Sequence, residues 1–202
     1  MYEQVSHSLL NEIMIKLNPD IKSKDLRHFY TRLGANFYSI YSLFELLYGS
    51  RDDFRAQAQR LVETMARQYI LRADEFKQKD LEREKDHNWF LSQKWTGMAL
   101  YSDGFAGNLK NLSHKASYFQ DLGVNLVHIM PIMESPVGHS DGGYAVSDYR
   151  RVDSRVGTME DLNNLSREFS KRDILLTLDV VLNHTSNEHE WARKAMQGDE
   201  SY

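Results

Sequence analysis

The 202-residue chain contains no cysteine. A disulfide framework and a thiolate metal site are therefore excluded, and the absence of cysteine favours a reducing, cytoplasmic location. The chain also lacks an excess of positive charge, because its 25 Lys and Arg residues are outnumbered by 29 Asp and Glu residues. Since a net charge of −4 provides no basic face for phosphates, no nucleic-acid partner is predicted.

Long apolar runs are missing as well. The first twenty residues have neither the basic start nor the uninterrupted apolar segment of a signal peptide. No stretch reaches the roughly 18 apolar residues that are needed to span a bilayer. The protein is therefore predicted to be soluble and cytoplasmic, with no membrane partner.

The motifs of several enzyme classes are absent. Neither G-x-G-x-x-G nor G-x-x-x-x-G-K-[ST] occurs, which argues against nucleotide binding. His184 and His189 do not form an H-E-x-x-H motif with the glutamates near them, so no zinc site is predicted. Ser140 is not part of a G-x-S-x-G turn, which argues against a serine hydrolase.

The first part of the chain has a helical pattern throughout. Apolar residues recur at helical spacing over residues 1–88, which predicts an all-helical domain. Within it, Gly34 is expected to end one helix and Gly49 the next. Residues 73–86 are highly charged with few apolar positions, which indicates a solvated helix.

Residues 89–202 alternate between two patterns. Strand-type apolar runs cover 98–101, 124–130 and 174–182, and helix-type segments cover 109–119 and 159–171, the second capped by Thr158. This alternation favours parallel strands joined by helical crossovers, in either a barrel or an open sheet. A long polar loop, residues 131–157, follows the second strand-type run.

The first concentration of candidate binding residues lies in that loop, in the segment His139–Tyr144. It places Asp141 before two glycines and Tyr144 after them. A carboxylate beside a flat ring suits a sugar, because the acid accepts hydrogen bonds from hydroxyls while the ring packs on the apolar C–H face. The alternative is an Asp-Gly turn with a locally packed tyrosine.

The second concentration closes the third strand-type run, in the sequence Asp179–His184. Asn183 and His184 would lie at the rim of the sheet, where ligands bind in parallel α/β folds. The alternative is a helix cap and a surface imidazole. Asp179 is interpreted as an acid inside an apolar strand, which is costly to bury unpaired. It is therefore expected to meet an arginine or backbone donors and to serve the structure first.

These segments resemble those of amylosucrase, in the α-amylase superfamily (glycoside hydrolase family 13). DVVLNH is similar to the superfamily's D-x-x-x-N-H, and the longer similarities to amylosucrase are at 103–109, 140–150 and 183–192. The resemblance implies an α/β protein with an N-terminal helical domain, residues 1–88. An incomplete (β/α)8 TIM barrel follows, residues 89–202, with about three βα units that supply strands 1–3 and the long loop 131–157.

The function that the resemblance implies is glucosyl transfer from sucrose to an α-1,4-glucan, by a retaining mechanism with two carboxylates. By motif, Asp141 and His184 would hydrogen-bond the glucosyl unit and Tyr144 would stack on it. Asp179 and Asn183 would support the strand end. Sucrose and α-glucan are the implied partners. No cofactor and no metal is predicted, including the calcium of some amylases.

The resemblance also implies where the reacting groups belong. Its nucleophile and its acid/base follow the fourth and fifth barrel strands, which places both beyond Tyr202 and leaves no catalytic residue to assign here. The 202-residue chain alone is therefore expected to be inactive, and aggregation-prone because three strands cannot close a barrel. The alternatives are a sucrose hydrolase or another α-amylase-family hydrolase on the same scaffold, and an inactive carbohydrate-binding or interaction remnant.

Overall fold

A computed structural model describes residues 2–17 and 23–199 of the chain. It divides into two compact units, Met1–His87 and Asn88–Tyr202. The first unit contains α1 (Tyr2–Leu17), α2 (Ser23–Tyr48), α3 (Phe54–Leu71) and α4 (Asp74–Glu84). The second contains a 3-10 turn (Trp89–Leu91), β1 (Gly97–Leu100), α5 (Ser102–Ala106), α6 (Leu109–Ser113), α7 (Ala116–Asp121), β2 (Leu126–Ile129), β3 (Met133–Glu134), β4 (Asp148–Val152), α8 (Met159–Ser170), β5 (Leu175–Leu178) and α9 (Glu190–Met196).

The first unit is held together by the apolar faces of α1, α2 and α3. Residues three or four positions apart fall on one side of each helix and so can be buried together. The buried side chains are Leu9, Leu10 and Ile13 from α1, Leu26, Phe29, Leu33, Phe37 and Tyr41 from α2, and Phe54, Ala58, Val62 and Ala66 from α3. The helical pattern predicted for this region is confirmed.

Helix α2 shows where the local prediction fails. It continues through Gly34 to Tyr48, so the prediction that Gly34 ends a helix is wrong. Leu33 and Phe37, on either side of the glycine, are both buried in the core. Their burial outweighs the cost of about 1 kcal/mol for an interior glycine. Gly49 does follow the helix end, where its N–H donates to the Glu45 carbonyl at 2.7 Å.

Helix α4 contacts the rest of the first unit through charged side chains. None of its residues is buried, as expected for a solvated helix. Glu84 contacts His28 Nε2 at 2.8 Å and Arg32 Nε at 3.1 Å, both on α2. None of the helices that the structure describes is both long enough and apolar enough to cross a membrane.

The second unit is built on a parallel sheet in the order β1–β2–β5. One face is covered by helices, whose buried side chains include Leu109, Leu112, Phe119, Leu165 and Phe169. The predicted alternation of strands and helices is therefore confirmed. Thr158 caps α8 as predicted, and the structure adds a capping box with Asp161. The helix predicted over 109–119 is instead two, because His114 and Lys115 donate to carbonyls three residues back and tighten the chain into a turn.

The long polar segment after β2 is not all loop. Its β3 and β4 form a two-stranded antiparallel sheet, with Met133 opposite Val152. The buried Ile132 and Val152 attach this small sheet to the core. The polar sequence of β4 gives no local sign of a strand, because its pairs Met133–Val152 and Glu134–Asp148 are 19 and 14 residues apart in sequence.

We expect Gly34→Ala to raise the free energy of unfolding of the first unit by about 0.5–1 kcal/mol. A Cβ at this helical position meets no atom within 4 Å, so alanine gains helix propensity without a clash. Chemical denaturation followed by far-UV circular dichroism measures the change. Gly49→Ala, in the same unit, is the control and should destabilise it, because a Cβ on Gly49 would lie 2.5 Å from the Glu45 carbonyl oxygen. A destabilised Gly34→Ala protein would contradict the prediction.

Candidate functional site

The candidate site lies where the three parallel strands end together. Leu100, Ile129 and Leu178, the last residues of their strands, are neighbours in register across the sheet. The residues that follow each strand therefore emerge at one edge. In parallel α/β folds this carboxyl edge is where ligands bind.

A hydrogen bond between two distant parts of the sequence joins the loop to this edge. The Tyr144 hydroxyl donates to Asp179 Oδ2 at 2.8 Å, and His128 Nε2 lies 4.0 Å from the same oxygen. The expectation that Asp179 meets an arginine or backbone donors is wrong. Asp179 lies one residue beyond β5, and its side chain is 28% exposed. It therefore escapes the full cost of burial inside a strand and is satisfied by a phenol.

This hydrogen bond changes the acidity of the phenol. The hydrogen bond to Asp179, with smaller effects of burial and of the negative charge on Asp179, raises the pKa of Tyr144 to about 12. Ionising the phenol would place two negative charges side by side. Tyr144 therefore stays protonated at neutral pH, and its hydroxyl is already engaged by Asp179.

The turn before Tyr144 needs an unusual backbone. Asp141, Gly142 and Gly143 have φ values of +46°, +71° and +94°, and the turn is closed by the Ala145 N–H, which donates to the Ser140 carbonyl at 3.0 Å. A Cβ on Gly143 would lie 3.0 Å from the Pro131 carbonyl oxygen. Glycine is therefore required at this close approach.

The two candidates in the turn differ in what they offer a ligand. The Asp141 side chain is exposed, and its carboxylate makes no hydrogen bond to any residue within 2–17 or 23–199. Tyr144 does not pack only locally, since its hydroxyl reaches a residue 35 positions away. An open acid and an anchored ring thus lie three residues apart.

Asn183 and His184 are both exposed and contact each other after β5. Asn183 Nδ2 lies 2.8 Å from His184 Nδ1. With the amide as donor, Nδ1 accepts, and the neutral imidazole carries its proton on Nε2. The Tyr149 hydroxyl donates to the His184 carbonyl at 2.9 Å. This segment is thereby tied to β4, and Nε2–H is left to donate.

An ion pair between the buried Asp153 carboxylate and the half-exposed Arg155 was not predicted from the sequence. The Arg155 guanidinium donates to both oxygens of Asp153 and, through Nη2, to Ser135 Oγ at 2.8 Å. Burial alone would raise the pKa of Asp153, but the hydrogen bonds from Arg155 and Ser135 more than offset it and hold that pKa below its usual value. The only sequence signal was an acid two residues before an arginine.

A cavity of about 130 Å³ separates this ion pair from the turn, lined by Ser102, Ser135, Gly142, Gly143 and Arg155 among others. The ion pair and the turn therefore line the same cavity from different sides. Within the described part of the chain, no group of three or more His, Asp or Glu side chains is arranged to hold a metal ion.

Residues 73–202, more than half of the chain, match the family model of the α-amylase catalytic domain. The chain belongs to the α-amylase family. The parallel β1–β2–β5 sheet with its covering helices is accordingly the first part of the family's (β/α)8 barrel, and the predicted fold class is confirmed.

Relatives within the α-amylase family are similar to part of the chain. The α-glucosidase of Schizosaccharomyces pombe is 45% identical over 93 residues, covering 46% of this chain and 16% of that protein. The glucan 1,6-α-glucosidase of Streptococcus pneumoniae is 35% identical over 116 residues, covering 57% and 21%. This family member therefore spans about a fifth or less of the length of the curated relatives it matches.

Among solved structures, the trehalulose synthase MutB of Pseudomonas mesoacidophila is similar to half of the chain. It is 37% identical, with a TM-score of 0.47, and the match covers 50% of this chain and 19% of that one.

The raised pKa of Tyr144 predicts a delayed ionisation. The difference in tyrosinate absorbance between the native protein and Tyr144→Phe should titrate with a midpoint of about 12 rather than near 10. Since the pKa of Tyr144 is raised in the folded state, the stabilisation of the fold by the Tyr144–Asp179 hydrogen bond is fully present below pH 10. It is lost as the pH rises through about 12. Asp179→Asn is the control and should return the midpoint towards 10. A native midpoint near 10 would rule out the hydrogen bond in solution.

The close approach at Gly143 predicts that an added Cβ there destabilises the protein more than an added Cβ at another glycine with positive φ. Gly143→Ala should lower the free energy of unfolding by about 2 kcal/mol or more, because it adds a backbone clash to the cost of a positive φ. Gly138→Ala is the matched control, since Gly138 has φ +77° and no atom within 4 Å of its built Cβ. It should cost about 1 kcal/mol. Equal losses in urea denaturation would show that the Pro131 contact does not constrain the turn.

Proposed function

We propose that the whole protein transfers α-linked glucosyl units with retention of configuration. Sucrose would be the donor and an α-1,4-glucan the acceptor, as in amylosucrase. The observation that carries the proposal is the hydrogen bond between Tyr144 and Asp179, 2.8 Å long. It attaches the Asp141–Tyr144 turn to the strand end from which Asn183 and His184 emerge.

Tyr144 and Asp141 would supply the two halves of a sugar contact. The Tyr144 hydroxyl is taken by Asp179, so the ring face is what remains for a glucosyl unit. The Asp141 carboxylate is exposed at the tip of the turn and can accept from sugar hydroxyls. The turn would thus recognise both the apolar and the polar side of the sugar.

His184 would donate a hydrogen bond from Nε2 to a glucosyl hydroxyl, while Asn183 fixes the ring through Nδ1. A donor that is already oriented stabilises a charge-separated transition state more than it stabilises the ground state. Asp179 and Asn183 would therefore be positioning residues, one for Tyr144 and the other for His184.

The bond-breaking groups are proposed to lie outside residues 1–202. A retaining glycosidase uses one carboxylate as nucleophile and a second as acid and then base. We assign neither role to a residue of this chain, and propose that both groups follow Tyr202. The choice of sucrose as donor is supported by the three segments that resemble amylosucrase, at 103–109, 140–150 and 183–192.

Hydrolysis of an α-glucoside is the second candidate function. It is favoured by the identity of 45% with the α-glucosidase of Schizosaccharomyces pombe. The same glucosyl contacts would serve either reaction, because the two differ in whether a sugar or water takes up the glucosyl unit. The products therefore distinguish them.

The proposed function is tested by following fructose and glucose released from sucrose by the whole protein. Fructose in clear excess over glucose supports transfer, and equal amounts support hydrolysis. Turnover of maltose or isomaltose without any turnover of sucrose would replace the proposal with an α-glucosidase. Absence of all turnover, with sugar binding retained, would support a carbohydrate-binding remnant.

The proposed roles of Asp141 and His184 predict similar losses of activity when either residue is replaced. Asp141→Asn and His184→Ala should each lower kcat/KM for the donor by about 100-fold, the usual cost of losing one transition-state contact. Asp121→Asn and His114→Ala change exposed residues outside the site and are the controls. Losses of the same size in the controls would show a general effect on folding instead of sugar recognition.

A further inference from the structure

Another cavity of the second unit, the one that belongs to the α-amylase family, lies between β4 and the segment that leads into α9. It has a volume of about 440 Å³, within the range of ligand pockets. Asp141, Tyr144 and His184 are not among its lining residues. We call it the Trp191 groove, and its wall includes Tyr149, Arg150, Glu188, His189, Trp191 and Arg193.

Trp191 presents a partly open, pre-positioned aromatic face to this groove. The residue is 51% exposed, and its ring centroid lies 4.7 Å from that of His189, which is only 6% exposed. The Trp191 backbone N–H donates to His189 Nδ1 at 3.1 Å, and the His189 ring is backed by Tyr149 at 5.7 Å. A large apolar face held in place in this way loses little entropy on binding.

Polar groups with unused hydrogen-bonding capacity surround the ring. Arg150 and Arg193 form no ion pair in the part of the chain that the structure describes. Arg151, by contrast, is paired with Glu134 and Asp148, each at 2.9 Å. The Glu188 side chain lies 3.7 Å from His139 Nδ1 but is 53% exposed, so its carboxylate can still accept from a ligand. Donors and acceptors beside an aromatic face suit a polyhydroxylated ligand with apolar C–H faces.

The charge of the groove argues for a neutral ligand. Its lining contains three arginines (150, 151 and 193) and four carboxylates (134, 148, 188 and 190), a net charge of −1 with histidine neutral. A polyanion would meet no net attraction here. The two unpaired guanidinium groups are therefore better used as hydrogen-bond donors to hydroxyls than as a phosphate site.

We propose that the Trp191 groove binds an α-1,4-glucan chain, separately from the glucosyl site. The identity of the polymer rests on the proposed function. The Tyr149 hydroxyl, which donates to the His184 carbonyl at 2.9 Å, joins the groove to the segment that bears the glucosyl site. The groove would keep a glucan close to the point of transfer and raise its effective concentration there.

The test is isothermal titration of the full chain with maltoheptaose, in a His184→Ala background so that the glucosyl site contributes less. Trp191→Ala should weaken binding about tenfold or more, and Trp191→Phe, which keeps an aromatic face, should stay within about threefold. Phe90→Ala removes an aromatic side chain of similar exposure, 58%, and is the matched control. In NMR spectra, the indole N–H signal that disappears in Trp191→Phe should shift with maltoheptaose.

Two results would overturn the groove as a glucan site. One is maltoheptaose binding that Trp191→Ala leaves unchanged. The other is competition by inorganic phosphate with steep dependence on salt, which would make Arg150 and Arg193 an anion site. Failure of the groove and failure of the proposed function are distinguishable. Sucrose turnover without Trp191-dependent binding would refute only the assignment of the groove as a glucan site. Trp191-dependent binding without sucrose turnover would refute only the proposed function.

Discussion

The parallel pairing of β1, β2 and β5 is the constraint on which the rest of the α-amylase unit depends. Val127 and Ile129 on the central strand are fully buried, and a shift of register by one residue would turn them away from the helices. The same register aligns Leu100, Ile129 and Leu178. Burial of apolar side chains thereby decides that the segments after each strand meet at one edge.

Contacts between segments far apart in sequence then shape that edge. The bond from Tyr144 to Asp179 and the bond from Tyr149 to the His184 carbonyl each span 35 residues. One orients the ring of the proposed glucosyl site, and the other joins that site to the Trp191 groove. Because both bonds use tyrosine hydroxyls, the ring faces remain available for packing or for a ligand.

The predictions that succeeded depend on neighbours in sequence. Thr158 caps α8 as predicted, and its capping box requires only Asp161, three residues on. The predicted alternation of strands and helices is also confirmed, because hydrophobic periodicity is a local property of the sequence. Gly34 failed as a helix end because residues on α1 and α3 bury its neighbours. The strand at Asp148–Val152 was missed because its pairing partner lies outside any local window.

The sequence by itself determined the helical character of the first unit, the alternation of parallel strands and helices in the second, and the motifs that pointed to the α-amylase family. It also selected Asp141, Tyr144, Asp179, Asn183 and His184 as candidates. Only the tertiary structure decided that Asp179 is satisfied by Tyr144, that Arg155 pairs with the buried Asp153 carboxylate, and that the Trp191 ring packs at a tilt against His189. The physical reason is that the partner of a polar group is chosen by burial and by three-dimensional proximity, which local periodicity does not encode.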